Sequence, residues 1–369
     1  MEVIVGTYNQ VIFSFSFAKD TGNEEKWLFE PKFTDQGHAG CIKSVATGAK
    51  YLASGSTDET IRLFDLKKHV ELGTLMHQNG TITCLAFVEA THMLSGSEDG
   101  TICIWDCKSW EIEKTLKGHR GAINSISVHP SGRLALSISK DKTVRTWNLL
   151  TGRAAYVTSL KAVGELVRWC PSGNSYAISF GRKVDIHKLG TATDPVSFEC
   201  EKPVLAMEFV SDSVILIAGE SDDVIVFNVD KECVLQRFQA HSIRTKAISV
   251  VEDPDDPSAL IMFSVASDGN LKACRLNKEN FEEAPLVLAE IEIPGRPTCM
   301  NVKSPYKDVK ISKKKVQSKK GETLKHNANS EGPEESITET KTAEESDNVS
   351  EPALKKTKKK KTKNSSNEK

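Results

Sequence analysis

Ser95-Gly96-Ser97-Glu98-Asp99-Gly100-Thr101-Ile102-Cys103-Ile104-Trp105-Asp106 reads as a strand, a tight turn and a second strand. Asp and Gly at its centre supply turn chemistry, and β-branched and aromatic residues follow. Ser54 to Asp65 and Ser137 to Asn148 repeat the pattern closely, and Ser264 to Arg275 repeats it with Cys274 in place of Trp. Ahead of each copy stands a triplet with offsets 0, +3 and +5. It reads Ile42, Val45, Thr47; Ile82, Leu85, Phe87; Ile123, Ile126, Val128; Gly164, Val167, Trp169; Val204, Met207, Phe209; and Thr245, Ile248, Val250. Successive triplets are 40, 41, 41, 40 and 41 residues apart. A seventh, Pro297, Met300, Val302, follows 52 residues after the sixth.

A fourth strand fits after each turn unit, as in Ile112-Glu113-Lys114-Thr115-Leu116. Four short strands per 40–45 residues or so is the period of a propeller blade. The chain opens with Val5 to Phe15, which matches the second and third strands of a blade and has no triplet before it. The orphan triplet at Pro297 to Val302 lacks what should follow. Joining the two completes a seventh blade and protects the edge that an open ring would expose. The expectation is an all-β, seven-bladed propeller over residues 1–302 and a disordered, Lys-rich tail over 303–369.

Charge supports that division. Up to Val302 there are 31 Lys+Arg against 39 Asp+Glu; from Lys303 on there are 18 Lys, no Arg and 11 Asp+Glu. The overall −1 therefore hides an acidic body and a basic tail. The tail is poor in Leu, Ile, Phe and Trp and cannot offset its ordering entropy. No apolar run approaches the roughly 18–20 residues that span a bilayer. Met1-Glu2-Val3 lacks the basic start and apolar stretch of a signal peptide. Nine scattered Cys, an odd number, point to reduced thiols and a cytosolic or nuclear setting.

Gly118-His119 ahead of a strand, an Asp turn, and then Trp105-Asp106 or Trp147-Asn148 resemble the WD-repeat signature. Gly80 to Leu85, His129 to Ser137 and Asp141 to Leu149, with the Lys-rich tail, resemble the p21-activated kinase-interacting protein 1 family. That family includes a yeast factor for large ribosomal subunit assembly. In WD-repeat blades a His, a Ser, the turn Asp and the strand Trp form a buried hydrogen-bonded chain. The resemblance implies full chains at His77, Ser95, Asp99, Trp105 and at His119, Ser137, Asp141, Trp147. Blade one has His38, Ser54 and Asp58 with Phe64 in the Trp place, and Phe cannot donate the indole hydrogen bond. The same residues imitate a Ser/His/Asp triad. A catalytic triad would not recur at blade spacing, so the structural reading prevails. Blades four and five lack the His, and blade six has Ala240-His241 and Asp268 but Cys274.

Other chemistry is sparse. Cys103 and Cys107 have no second pair to complete a four-ligand zinc site. There is no glycine-rich phosphate loop, and no cofactor is expected. The tail has a basic zone at Lys303–Lys325, an acidic zone at Glu331–Glu351, and a run of Lys355, Lys356, Lys358, Lys359, Lys360, Lys361 and Lys363. That run suits nuclear import or an RNA-proximal arm, as well as plain solubility. Without an aromatic in the last 60 residues, it would bind phosphate non-specifically.

On the rim bearing the Asp turns, blades three and four would carry Arg120, Lys140, Lys142, Arg182 and Lys183, and blades one and two Glu59 and Glu98. This split face is a candidate partner surface; interspersed charge of this kind is also ordinary. The resemblance implies a monomeric, non-catalytic scaffold in the nucleus and nucleolus, acting in large-subunit and rRNA biogenesis and restraining p21-activated kinase. Partners would be that kinase, ribosome assembly factors and, through the tail, pre-ribosomal RNA, with no membrane. One rival is a cytoplasmic adaptor or substrate receptor. Another is an enzyme using the central channel, which would need clustered His or carboxylates on the inner strands.

Overall fold

A computed structural model describes residues 1–20, 22–190 and 194–303, without the side chains of residues 23–25. The charged run Lys355, Lys356, Lys358, Lys359, Lys360, Lys361, Lys363 and the rest of the expected tail lie outside the described residues. Seven four-stranded antiparallel sheets make up the fold. Their first strands are Ile42–Gly48, Ile82–Val88, Ile123–Val128, Leu166–Trp169, Val204–Phe209, Thr245–Glu252 and Pro297–Lys303. Each of these touches the next, and the last touches the first, so they form the inner wall of a closed ring.

Blade seven joins the two ends of the sequence. Pro297–Lys303 pairs with Glu2–Thr7, with Val3 opposite Val302 and Val5 opposite Met300. Ile12–Asp20 and Asn23–Asp35 complete the sheet. The Met1 amine donates to the Phe17 carbonyl at 3.1 Å. Pro297–Lys303 runs one residue past the expected boundary at Val302.

The 3-then-2 spacing of the triplets has a structural cause. Ile42 pairs with Ser56, but Ser44 pairs with Gly55, so Lys43 is an extra residue. The same shift falls at Thr83, Asn124, Leu205, Lys246 and Thr298. In blade four the Glu165 amide bonds the Ser179 carbonyl just ahead of the Leu166–Ser179 pair. A β-bulge sets two residues against one and moves the alternation forward by one position. Side chains 0 and +3 then face the same layer, and the period of two resumes at +5.

The core lies between blades. Ala53, Ile61 and Leu63 of blade one pack on Ile82, Leu85, Met93 and Trp105 of blade two. Phe15, Phe17 and Trp27 of blade seven pack on Ile261, Phe263 and Val265 of blade six. The approach of blades depends on small residues. A Cβ on Gly96 would stand 2.6 Å from Cys84 Sγ and 2.9 Å from Ile123 Cγ2. In blade four the sizes are exchanged: the triplet opens with Gly164, and Ile178 of the same blade and Ile138 of blade three fill the space beside it. This is why a glycine can stand in an otherwise apolar position. Gly96→Ala is expected to overpack the joint and cost about 1–3 kcal/mol. A urea midpoint equal to that of the wild type would show that the blades can part without loss.

The nine cysteines are all free. Burial pushes the Cys84, Cys103, Cys200 and Cys274 thiols up to about 11, and Cys107 and Cys299 up to about 12. These six behave as packing groups rather than nucleophiles.

Candidate protein-docking face

Blade three carries the complete expected chain. His119 Nδ1 lies 2.9 Å from Asp141 and Nε2 2.7 Å from Ser137 Oγ. Trp147 Nε1 donates to the same Oγ at 2.8 Å. A carboxylate only accepts, so Nδ1–H donates to Asp141, and Nε2 accepts the Ser137 proton. Burial lowers the His119 pKa, opposed by Asp141. Burial would raise Asp141. The Arg120 amide, Thr143 and His119 outweigh it and hold the carboxyl well below the usual carboxylate range. Ser137 is wholly buried and bonded on both sides. No substrate carbonyl can reach it, so the likeness to a nucleophilic triad ends at residue type.

Blade one keeps His38 bonded to Asp58 at 2.9 Å and to Ser54 at 2.8 Å. Burial pushes Asp58 up, but bonds from Thr60 and His38 bring it down to about 2.

Blade two differs from expectation. His77 is exposed and meets Trp105 only edge-on, with ring centroids 6.4 Å apart. Gln78 takes its place: Ser95 donates to Gln78 Oε1 at 2.5 Å, and Gln78 Nε2 donates to the Thr101 carbonyl at 2.9 Å. Trp105 still donates to Ser95 at 2.8 Å. Asp99 is separate, bonded to Asn79 and Thr101. The reason is register. His38, His119 and His241 each stand four residues before their triplet, and Gln78, not His77, occupies that place. The signal was available in the spacing, but residue type masked it.

In blade six His241 Nε2 reaches Ser264 at 2.9 Å, while buried Nδ1 has no partner. Asp268 is exposed and bonds the Asn270 amide instead. Burial, helped by Lys272, pushes His241 down to about 4.

The Asp turns share a face with the starts of the inner strands: Thr57 N bonds Cys41 O, and Lys140 N bonds Ala122 O, each at 2.9 Å. On that face Glu59, Glu98, Arg120, Lys140, Lys142, Arg182 and Lys183 are all exposed. Lys140 reaches across to Glu98 at 3.9 Å, Arg182 to Glu199 at 3.7 Å and Lys183 to Asp185 at 2.8 Å. Among the described residues Arg120 and Lys142 have no ion pair. Of these, only the Lys140–Glu98 contact joins the two halves of the expected face; the other two pairs close within blade four.

The central channel encloses about 1230 Å³ and is walled by the inner strands. Its Glu208 lies 3.5 Å from Arg168. No group of three or more His, Cys, Asp or Glu that could hold a metal occurs among the described residues.

The family model described as "WD domain, G-beta repeat" matches residues 29–65, 70–106 and 110–148. Each match starts in, or two residues ahead of, the outer strand of one blade and ends with the third strand of the next. The chain is 37% identical over 302 residues to a Gallus gallus protein named "p21-activated protein kinase-interacting protein 1-like", covering 82% of this chain and 80% of the relative. It is 37% identical over 305 residues to the Homo sapiens protein of the same name without the suffix, covering 82% and 77%. It is 37% identical over 214 residues to "Protein MAK11" of Saccharomyces cerevisiae, covering 52% of each. With seven closed blades and this span of identity, the chain belongs to the p21-activated kinase-interacting protein 1 family of WD-repeat proteins.

Proposed function

We propose that this WD-repeat scaffold acts without catalysis in nucleolar large ribosomal subunit biogenesis and also restrains p21-activated kinase. The observation that carries the reading is the identity to kinase-interacting relatives across 82% of the chain. The nearest physical support is that the His–Ser pairs of blades one and three are buried in the blade interiors, out of reach of a substrate. Seven rigid blades hold rim loops in fixed positions, which suits partner assembly more than chemistry. The lysines from Lys355 to Lys363 would favour a nuclear, polyanion-rich setting. Protein partners would include the kinase and ribosome assembly factors, with pre-ribosomal RNA touched by the tail.

The test is sedimentation of nuclear extract. Full-length protein should co-migrate with large-subunit precursors, and so should a chain ending at Lys303 when it is targeted to the nucleus. Absence of both from the precursor fraction at low salt would remove the ribosomal reading. Reversing Lys140 and Lys142 to Glu should weaken co-migration or kinase capture severalfold with an unchanged melting temperature. Full retention of both partners by that variant would remove this arc of the face.

A further inference from the structure

The bulge residues ring the channel mouth on the face that carries the Asp turns. They are Lys43, Thr83, Asn124, Glu165, Leu205, Lys246 and Thr298. Three are engaged with backbone. Thr83 donates to Gly96 O at 3.1 Å, Asn124 to Gly164 O at 2.7 Å and Thr298 to Ile42 O at 2.6 Å. The two cations, Lys43 and Lys246, have no ion pair among the described residues, and both line the channel. They sit in blades one and six, on either side of blade seven.

Two arginines flank them. Arg244 immediately precedes the inner strand of blade six, and its Nε donates to Ser267 at 3.1 Å. Arg296 immediately precedes that of blade seven and stacks over Tyr8, 6.0 Å from the ring centroid. Tyr8 is 61% exposed. The blade seven turn, Tyr8-Asn9-Gln10-Val11, contributes no acid. The grouping is electrostatically strained. Burial lowers the Lys246 pKa, Arg244, Arg296 and Lys43 lower it further, and only Glu220 opposes them. A half-buried ammonium among like charges destabilises the fold unless an anion joins it.

The geometry points to this arc of blades six, seven and one as a docking site for an extended acidic segment of a protein partner. Its carboxylates would sit on Lys43, Lys246, Arg244 and Arg296, with an aromatic or apolar side chain against Tyr8. It rests on the scaffold reading only in taking a protein as occupant. It also lies on the opposite arc from Arg120, Lys140 and Lys142. A peptide is favoured over nucleic acid for a physical reason. Residues 1–302 carry 31 basic against 39 acidic side chains. A strand bearing one phosphate per nucleotide would run from this local patch onto a repelling surface. A short acidic peptide can confine its charges to the patch.

The experiment uses full-length protein and two fluorescent probes, a Glu/Asp-rich peptide containing one Phe and a uridine oligonucleotide of equal charge. Lys43→Glu with Lys246→Glu should weaken peptide binding about tenfold or more, the effect of two close charge pairs. The neutral pair Lys43→Gln with Lys246→Gln should weaken it less and leave the urea midpoint unchanged or raised. Reversing two lysines of distant turns, Lys68→Glu with Lys231→Glu, equals the charge change and controls for the tail; it should lower affinity far less. Equal loss in both reversals, or none in the first, overturns the site. Loss of oligonucleotide binding with peptide binding retained overturns the choice of a protein ligand. Neither result touches co-migration with ribosomal precursors, so the two readings fail separately.

Discussion

Asp141→Ala should lower the free energy of unfolding by about 3–4 kcal/mol, because one partly buried carboxylate serves several donors. They are His119 Nδ1, the Arg120 amide, and the amide and hydroxyl of Thr143. His119 is fully buried at its side chain, and its freed N–H would keep only the Thr143 hydroxyl, 3.1 Å away, as a partner. The informative comparison is Asp99→Ala. Asp99 also ties its turn, through Asn79 and Thr101, but it holds no ring nitrogen, since Gln78 completes that chain without it. Its loss should cost roughly 1–2 kcal/mol less. Urea midpoints of the two variants decide the matter. Equal costs would mean that the His–Asp link adds nothing beyond the turn.

The second large effect is a loss of stability in mild acid, carried chiefly by His241. Its folded pKa is about 4, against about 6.5 when unfolded. Between those values the unfolded chain holds a proton that the folded chain refuses. Stability therefore falls as pH drops through that window, by about 3 kcal/mol at its lower end. His119, also lowered by burial, adds in the same direction. Asp58, held at about 2, contributes stability above its unfolded value that is lost only at lower pH, so its window is separate. His241→Gln tests the assignment, because Gln78 already performs this bonding in blade two. The variant should show a much shallower stability slope between pH 6.5 and 4. A slope identical to that of the wild type would place the acid sensitivity elsewhere.

The ring was legible because its determinants are local and periodic. A bulge writes itself into the sequence as a 3-then-2 apolar spacing; seven such spacings fix the blade number, and the last one, orphaned at Pro297 to Val302 opposite an opening segment that has none, fixes closure. Blades four to six lie beyond the WD-repeat matches, yet have the same sheets, since the triplet and not the signature builds the inner wall. Two substitutions in the pattern were misleading in one dimension. His77 has the expected chemistry one position out of register, whereas Gln78 has the register and an amide that mimics the ring. Gly164 keeps its triplet place although it is apolar only in name, because Ile178 of its own blade and Ile138 of the preceding one fill the space beside it.

What the sequence by itself determined is the fold: hydrophobic periodicity is read over a few residues, and the burial it encodes sets strand, bulge and blade. What only the tertiary structure decided is where charge accumulates. Lys43 stands near the start of the sequence, and Lys246 and Arg296 near the end of the propeller. Ring closure brings them to one arc. Lys140 and Glu98, assigned to opposing halves of a split face, are drawn together across a blade joint. Electrostatic interactions act through space between residues far apart in the chain, so no local pattern records them.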